Sequence, residues 1–352
     1  MTAALQDRPA SRENEAPAAG APILSVRDLA CVFETRTGPF FARRSQVVRA
    51  LDGVSFDLFE GQALGIVGES GSGKSTLARC LIRLERPASG RITYRGSDIA
   101  QLDERAMRPL RRDIQMVFQD PWASLNPRHT VSRILSEPWE IHAGLVHPSD
   151  RTERVAELLR LVGLDPSFAH RYPNQFSGGQ RQRISIARAL ALSPKILILD
   201  EAVSALDVSV QAQILNLLAE LRDRLRIAYL FISHDLSVVR HLCERIGVMY
   251  LGRFAEIGPA ASIFGSAGHP YTRALLSAMP ESANRERIVL DGEIPSPLSP
   301  PSGCGFRTRC WKADAHCAET VPPLSGLPGT GAPATQLVAC HYPFESAQSC
   351  KP

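Results

Sequence analysis

The sequence predicts an α/β protein built around a mostly parallel β-sheet, because continuous apolar runs alternate with amphipathic segments. Three such runs are QALGIVG (62–68), KILILD (195–200) and AYLFIS (228–233). Strands that are covered by helices on both faces have this continuous apolar character. The segment 210–225 has apolar residues at helical spacing, so we expect it to form one of the covering helices.

The composition of the 352-residue chain changes along its length and predicts its domains. Residues 1–22 lack the apolar core of a signal peptide and are expected to form a disordered leader. Residues 23–265 are expected to form the α/β domain, with a helical insertion at about 120–175. Residues 266–352 begin with a short helical pattern and continue as a Pro/Gly/Ser-rich extension, which predicts a small, loop-rich, cysteine-containing unit.

The charge and hydropathy of the chain argue against two classes of protein. The net charge is +4, from 40 basic and 36 acidic residues that are spread along the sequence. A nucleic-acid-binding protein more often concentrates its basic residues on one face, so no nucleic-acid partner is expected. No apolar run approaches the length that spans a bilayer. We therefore expect a cytoplasmic protein, or one held at a membrane by its partners.

A phosphate-binding loop follows the first of the apolar runs. Gly68, Gly73, Lys74 and Ser75 fit the pattern G-x-x-x-x-G-K-[ST], with a strand before it and a helical pattern after it. Backbone N–H groups of such a loop surround phosphates, the lysine reaches the β- and γ-phosphates, and the serine binds Mg²⁺. The predicted nucleotide-binding residues of this loop are Gly68, Glu69, Ser70, Gly71, Ser72, Gly73, Lys74, Ser75 and Thr76.

Two carboxylates end the second apolar run. Asp200 suits the coordination of Mg²⁺, and Glu201 can act as the general base that polarises the attacking water. An acidic pair after a strand is often only a helix N-cap. Downstream of a phosphate-binding loop, the catalytic interpretation is favoured.

The segment FSGGQRQR (176–183) predicts the class of nucleotide-binding protein. Ser177, Gly178, Gly179 and Gln180 stand at the start of a helical pattern, which gives the chain a second anion-binding helix terminus. This segment resembles the signature sequence of ATP-binding cassette (ABC) proteins. The resemblance implies that two cassettes pair head to tail, so that each signature closes on the nucleotide held by the other.

Other parts of the sequence resemble ABC elements in the same order. The resemblance implies that Gln119 contacts the metal and the attacking water, that Asp207 in SALD lies at the dimer interface, and that His234 holds the γ-phosphate. A histidine at such a position is otherwise more often a satisfied residue at a strand end. The usual aromatic residue that stacks on adenine is missing before VSF, which leaves Val48, Phe40 and Phe41 as candidates.

The C-terminal region resembles the extension of dipeptide/oligopeptide importer ATPases, and the long insertion before VVRALDGVSF resembles the ATPase of such systems that is often called F-type. The resemblance rests on HPYTRALLSAMP (269–280) and SPPSGCGFRTRC (299–310). It implies an ATPase that drives uptake of short peptides, or of another small solute such as nickel or glutathione. It also implies a second ABC ATPase, two membrane permeases, an extracytoplasmic solute-binding protein, and a place at the cytoplasmic face of the inner membrane. A soluble ABC ATPase without a transport role is the alternative.

Cys304, Cys310, Cys317 and Cys340 lie at spacings of six, seven and 23 positions in this loop-rich region. A segment with little core can gain stability from metal ligation, and four thiolates suit Zn²⁺ or an iron–sulfur cluster. The family resemblance implies a [4Fe–4S] cluster, with Zn²⁺ as the alternative. Cys350 is not expected to be a ligand. Three further cysteines stand in apolar patterns and are expected to be core residues, namely Cys31, Cys80 and Cys243.

Overall fold

Two β-sheets and the helices that pack on them form the framework of the described part of the chain. A computed structural model describes residues 20–37, 44–120, 124–279, 287–327 and 336–344. Most of the predicted leader (1–19), the candidate adenine-stacking residues Phe40 and Phe41, and Cys350 lie outside these ranges. The limits of the predicted leader and of the segments 23–265 and 266–352 stay predictions.

The strands, numbered along the chain, are β1 (Leu24–Thr37), β2 (Arg44–Leu58), β3 (Ala63–Val67), β4 (Ser89–Tyr94), β5 (Ser97–Asp98), β6 (Ile114–Val117), β7 (Ile196–Asp200), β8 (Ala228–Ser233), β9 (Arg245–Tyr250), β10 (Arg253–Pro259), β11 (Ser325–Gly326) and β12 (Leu337–Val338). The helices of the described residues are α1 (Lys74–Leu81), α2 (Glu104–Leu110), α3 (Val131–Ile141), α4 (Arg151–Leu161), α5 (Gly178–Leu190), α6 (Val208–Leu225), α7 (Leu236–Leu242), α8 (Ala260–Ser266), α9 (Pro270–Ser277) and α10 (Ala315–Glu319).

The larger sheet has eight strands in the order β11-β12-β10-β9-β3-β8-β7-β6. The five strands from β9 to β6 are parallel, and β10, β12 and β11 continue the sheet in antiparallel pairing. The three apolar runs of the sequence are β3, β7 and β8, and every residue of these strands is buried. The predicted mostly parallel sheet core is therefore confirmed.

Side chains of the central strands alternate between two apolar cores, one on each face of the large sheet. In β7, Leu197 and Leu199 pack in one core, whereas Ile196 and Ile198 pack in the other. Buried side chains of helices α3 to α7 contribute to the first core. The second contains α1, α2 and the smaller sheet, an antiparallel layer in the order β2-β1-β4-β5. Burial on both faces explains why apolar residues do not alternate with exposed polar residues along these strands.

The predicted helical insertion corresponds to α3 and α4 with short 3₁₀ turns between and after them. Thr130 caps α3 by accepting a hydrogen bond from the Arg133 N–H group. Trp139 is almost fully buried and donates its indole N–H to the carbonyl of Ala191, 2.8 Å away, just beyond the end of α5. This bond and the surrounding apolar contacts fix the insertion to the helix that follows the signature segment.

The C-terminal extension is joined to the nucleotide domain through the large sheet. Strand β12 pairs with β10, with Glu256 opposite Val338 and Ile257 opposite Leu337. The carboxylate of Glu256 is fully buried and accepts hydrogen bonds from the N–H groups of Gly268 (2.7 Å) and His269 (3.1 Å), and from Nε2 of Gln336 (2.6 Å). One side chain therefore holds together a strand, the start of α9 and the extension.

The Glu256→Ala substitution should lower the free energy of unfolding by about 3 kcal/mol, because it leaves several buried donors without an acceptor. Urea unfolding of the full chain measures this loss. Glu220→Ala, on the exposed face of α6, is the matched control and should change the stability by less than about 0.5 kcal/mol. Equal losses in the two variants would contradict the assigned role of Glu256.

No helix of the described ranges is both long enough and apolar enough to cross a membrane.

Candidate nucleotide-binding site

The phosphate-binding loop connects β3 to α1 and requires glycine at two positions. Gly68 has φ +154°, and a Cβ atom there would lie 2.3 Å from the carbonyl oxygen of Met249. Gly73, the N-cap of α1, has φ +103°, and a Cβ atom there would lie 2.4 Å from the carbonyl oxygen of Ala50. Any larger residue would move the loop, so the glycines of the motif are explained by close backbone approach.

Lys74 folds back onto the loop that it follows. Its side chain is nearly buried, and Nζ donates to the carbonyl oxygens of Gly68 (2.7 Å) and Glu69 (2.9 Å). Burial lowers the pKa of Lys74, and the nearby carboxylates of Glu201, Asp200 and Glu69 oppose that shift. The ammonium group therefore lies inside the loop, where phosphate oxygens can replace its carbonyl partners.

Ser75 and Asp200 meet across the sheet, although they are far apart in sequence. Ser75 Oγ donates to Asp200 Oδ1 over 3.0 Å. Asp200 ends β7 and is buried, and this burial raises the pKa of its carboxyl group. A hydroxyl and a carboxylate are oxygen ligands of the kind that Mg²⁺ prefers. Two of the three residues predicted to hold the metal are thus in contact, the third being Gln119.

Two predicted catalytic side chains, those of Gln119 and His234, converge on the carboxylate of the third, Glu201. Gln119 Nε2 donates to Glu201 Oε2 (2.9 Å), and His234 Nδ1 lies 3.5 Å from the same oxygen. Glu201 has φ +48°, a conformation that non-glycine residues adopt rarely and mostly where the surroundings impose it. This arrangement places the candidate base directly after the aspartate that is predicted to bind the metal.

The signature segment starts α5 with a complete capping box. Ser177 Oγ accepts from the Gln180 N–H group (3.3 Å), and Gln180 Oε1 accepts from the Ser177 N–H group (3.1 Å). Gly179 faces Val210, and a Cβ atom there would lie 2.4 Å from its Cγ1 atom. Within the described residues, Ser177, Gly178, Gly179 and Gln180 make no hydrogen bond to the phosphate-binding loop.

Asp207 is the N-cap of α6, but its side chain makes no capping hydrogen bond and is exposed. The next residue, Val208, exposes 83% of its surface. Val48, the remaining described candidate for adenine stacking, is half-buried on β2 opposite Phe33. The roles assigned from sequence to these residues, and to the other site residues, stay predictions.

Two residues that sequence reasoning did not assign to the site also contact the loop. Arg309 of the extension pairs with Glu69 through two hydrogen bonds, and Tyr271 Oη accepts from the Glu69 N–H group. Both belong to segments that were singled out from the sequence, HPYTRALLSAMP and FRTRC, but no local pattern in them points to a phosphate-binding loop.

The four cysteines of the extension line one small cavity, next to His269 and Phe306. Burial raises the pKa of the Cys304 and Cys310 thiols and raises that of Cys340 to about 12. In the described part of the chain, no three His, Cys, Asp or Glu side chains come together in a group that could hold a metal ion. Cys31, Cys80 and Cys243 are buried core residues, as predicted.

Comparison with known proteins shows the family to which the chain belongs. Residues 51–204 match the family model described as ABC transporter, and residues 255–317 match the one described as oligopeptide/dipeptide transporter, C-terminal region. An oligopeptide transport ATP-binding protein (AppF) of Bacillus subtilis (strain 168) is 53% identical over 325 residues, which cover 91% of this chain and 97% of that protein. The chain belongs to the ABC transporter family. It carries the C-terminal region of the oligopeptide/dipeptide branch.

Other relatives place this ABC protein in the same group. A di/tripeptide transport ATP-binding protein (DppF) of Pseudomonas aeruginosa (strain UCBPP-PA14) is 49% identical over 323 residues, or 91% of this chain and 97% of that protein. Among solved structures, this chain is similar to a dimeric structure of the cassette MJ0796, which is bound to ADP and Pi in a post-hydrolysis state. The TM-score is 0.59 at 30% sequence identity, and the match covers 67% of this chain and 98% of the MJ0796 chain. The predicted family and fold class are therefore confirmed, and the ABC fold implies ATP and Mg²⁺.

Glu201→Gln should lower kcat for ATP hydrolysis by roughly 10²–10⁴-fold and leave ATP binding intact, because an amide cannot accept the proton of the attacking water. Phosphate release and ATP titration of the same preparation separate the two effects. Glu220→Gln on the surface of α6 removes the same charge away from the site and should hydrolyse ATP at the rate of the unmodified protein. A Glu201→Gln variant with unchanged kcat would remove Glu201 as the base.

Proposed function

We propose that this ABC protein is the ATP-hydrolysing subunit that powers the import of short peptides through a membrane transporter. The observation that carries the proposal is the convergence of Gln119 and His234 on Glu201 beside the phosphate-binding loop. The chain that holds this site is similar over 91% of its length to peptide-transport ATP-binding proteins. The site supports hydrolysis, and the likeness to those relatives supports the cargo.

The chain's own residues account for each part of the reaction. The phosphate-binding loop binds the triphosphate, and Lys74 exchanges its carbonyl partners for phosphate oxygens. Glu201 accepts a proton from water, the water oxygen bonds to the γ-phosphorus, and the bond from that phosphorus to the β–γ bridging oxygen breaks, so that ADP leaves. His234 orients the γ-phosphate. Ser75, Asp200 and Gln119 would hold a Mg²⁺ ion, which would neutralise phosphate charge.

Pairing with a second ABC ATPase would complete each site. The segment from Ser204 to Val208 supports this part of the proposal because it is largely exposed and includes the apolar side chain of Val208. Asp207 lies in the same segment. The signature start of α5 then meets the triphosphate held by the partner cassette, where its helix N-terminus favours an anion.

Two permease subunits are proposed to contact the helical insertion near Gln119. Phe118, directly before Gln119, and Ile141, at the end of α3, expose 40% and 52% of their surface, so both offer apolar area to a partner. Contact with permeases places the protein at the cytoplasmic face of the inner membrane as a peripheral subunit, with a solute-binding protein on the opposite side. ATP drives closure because it binds the closed pair better than the open one.

An affinity pull-down of the tagged chain from detergent-solubilised membranes tests these partners. Mass spectrometry should identify two multi-span permeases and a second, different ABC ATPase. Uptake of labelled di- and oligopeptides by the source cells should then fall to background when the chain carries Glu201→Gln. Ribosomal or DNA-bound partners would favour a soluble ABC ATPase and overturn the transporter assignment. Intact peptide uptake with loss of nickel or glutathione uptake would change the cargo.

The cysteine cavity is proposed to hold a [4Fe–4S] cluster. A single Zn²⁺ ion needs four sulfur atoms at about 2.3 Å, which implies a tight group of thiolates. In a cluster each thiolate binds a different iron, so the four thiolates stand farther apart, around a shared cavity. The four cysteines line one small cavity, and this shared lining is the observation behind the proposal, with Zn²⁺ as the alternative. When bound, the cluster would cross-link segments that have little apolar core of their own.

The chain purified without oxygen should contain about four iron and four labile sulfide per molecule. Serine at Cys310 should lower both contents sharply and should also lower the thermal unfolding temperature of the extension. Cys350→Ser is the matched control and should keep the full iron content. Stoichiometric zinc without iron in the unmodified chain would support the Zn²⁺ alternative.

A further inference from the structure

The C-terminal extension contacts the phosphate-binding loop directly at Glu69. Arg309 donates from Nη1 to Glu69 Oε2 (2.7 Å) and from Nη2 to Glu69 Oε1 (3.1 Å), a two-point contact that fixes the carboxylate in one plane. Tyr271 Oη accepts from the backbone N–H group of the same residue over 3.0 Å. Both the side chain and the backbone of Glu69 are therefore held by the extension.

The ion pair between Arg309 and Glu69 is not an ordinary surface contact. The Arg309 side chain is 8% exposed and that of Glu69 is 24% exposed, so solvent screens the pair only in part. Aromatic rings enclose this region, since Tyr250 packs on Tyr271 with ring centroids 4.8 Å apart and on Phe306 at 5.3 Å. Arginine stays charged in such a place, and its planar group matches a carboxylate.

Glu69 brings a negative charge into a loop that must bind a triphosphate. The charge acts on Lys74, whose ammonium group the Glu69 carboxylate stabilises. An unpaired carboxylate at this position would repel the phosphates, with an energy that falls only slowly with distance in a partly buried site. Arg309 neutralises that charge. The extension therefore supplies a second positive charge at the loop, in addition to that of Lys74.

The turn that carries Arg309 is attached at both ends to cysteines of the cavity. Arg307–Arg309 forms a 3₁₀ turn between Cys304 and Cys310. The Arg307 N–H group donates to the carbonyl of Cys304 (3.1 Å), and the Cys304 N–H group donates to the carbonyl of Cys317 (2.7 Å). The position of Arg309 therefore depends on how the cysteine segment is folded.

We propose that Arg309 is a positioning residue for ATP binding, which neutralises Glu69 and holds the phosphate-binding loop in its binding conformation only while the extension is docked. This inference rests on the proposed use of the loop for ATP. It makes the extension a regulator of nucleotide affinity, in addition to any role in assembly with partners.

A double-mutant cycle on the full chain tests the charge argument. Arg309→Gln should weaken ATP binding on the order of tenfold, with a smaller change in kcat at saturating ATP, because the variant leaves Glu69 unneutralised. Adding Glu69→Gln to that variant should restore ATP affinity to within about threefold of the unmodified protein. Additive effects, with no recovery in the double variant, would overturn the proposal.

Arg307→Gln is the matched control, because Arg307 lies in the same turn but donates to Ser302 and not to the loop. It should bind ATP like the unmodified chain. Circular dichroism checks the fold of each variant. If Arg309→Gln does not fold, Arg309→Lys replaces it, because lysine keeps the positive charge. The lysine variant should bind ATP within about threefold of the unmodified chain. A tenfold loss of ATP affinity in a folded lysine variant would refute the role of charge.

Lys74→Ala separates this inference from the proposed function. Loss of ATP binding in Lys74→Ala, together with normal binding in Arg309→Gln, would overturn only the role of Arg309. Unchanged ATP binding in Lys74→Ala would instead overturn the use of the loop as the nucleotide site.

Discussion

Parallel alignment of β3, β7 and β8 is the constraint on which the site depends. The register places Val67 beside Ser233 and Asp200 beside Ile232, so the three strands end at one edge of the sheet. The phosphate-binding loop, the acidic pair and His234 each follow one of these ends. Residues separated by more than a hundred positions therefore meet, as the bond between Ser75 and Asp200 shows. A shift in the pairing of these strands would separate Ser75 from Asp200 and His234 from Glu201.

Much of this arrangement could be predicted from the sequence, because the information is local. Continuous apolar runs identify β3, β7 and β8, and the residues directly after each run have the chemistry of the site. The capping box of Ser177 and Gln180 is likewise contained in four adjacent residues. Once a strand and the residue after it are known, the parallel sheet determines which side chains can meet.

Contacts between distant and irregular segments could not be predicted in this way. Arg309 lies 240 positions from Glu69 in a loop-rich region that has no periodicity to fix its orientation. The buried carboxylate of Glu256 is also invisible in the sequence, since its partners are two backbone N–H groups and a glutamine far along the chain. The φ of +48° at Glu201 likewise depends on the surrounding fold.

The pairing of strand β12 with β10 affects where the chain can be shortened. By pairing with β10, β12 covers hydrogen-bonding groups that would otherwise form an open edge of the sheet. Open edges of this kind can pair with other chains and promote aggregation. A shortened chain that ends after the nucleotide domain would keep its ATP-site motifs but leave the edge of β10 unpaired. Its solubility would then depend on whether another segment or another chain paired with that edge.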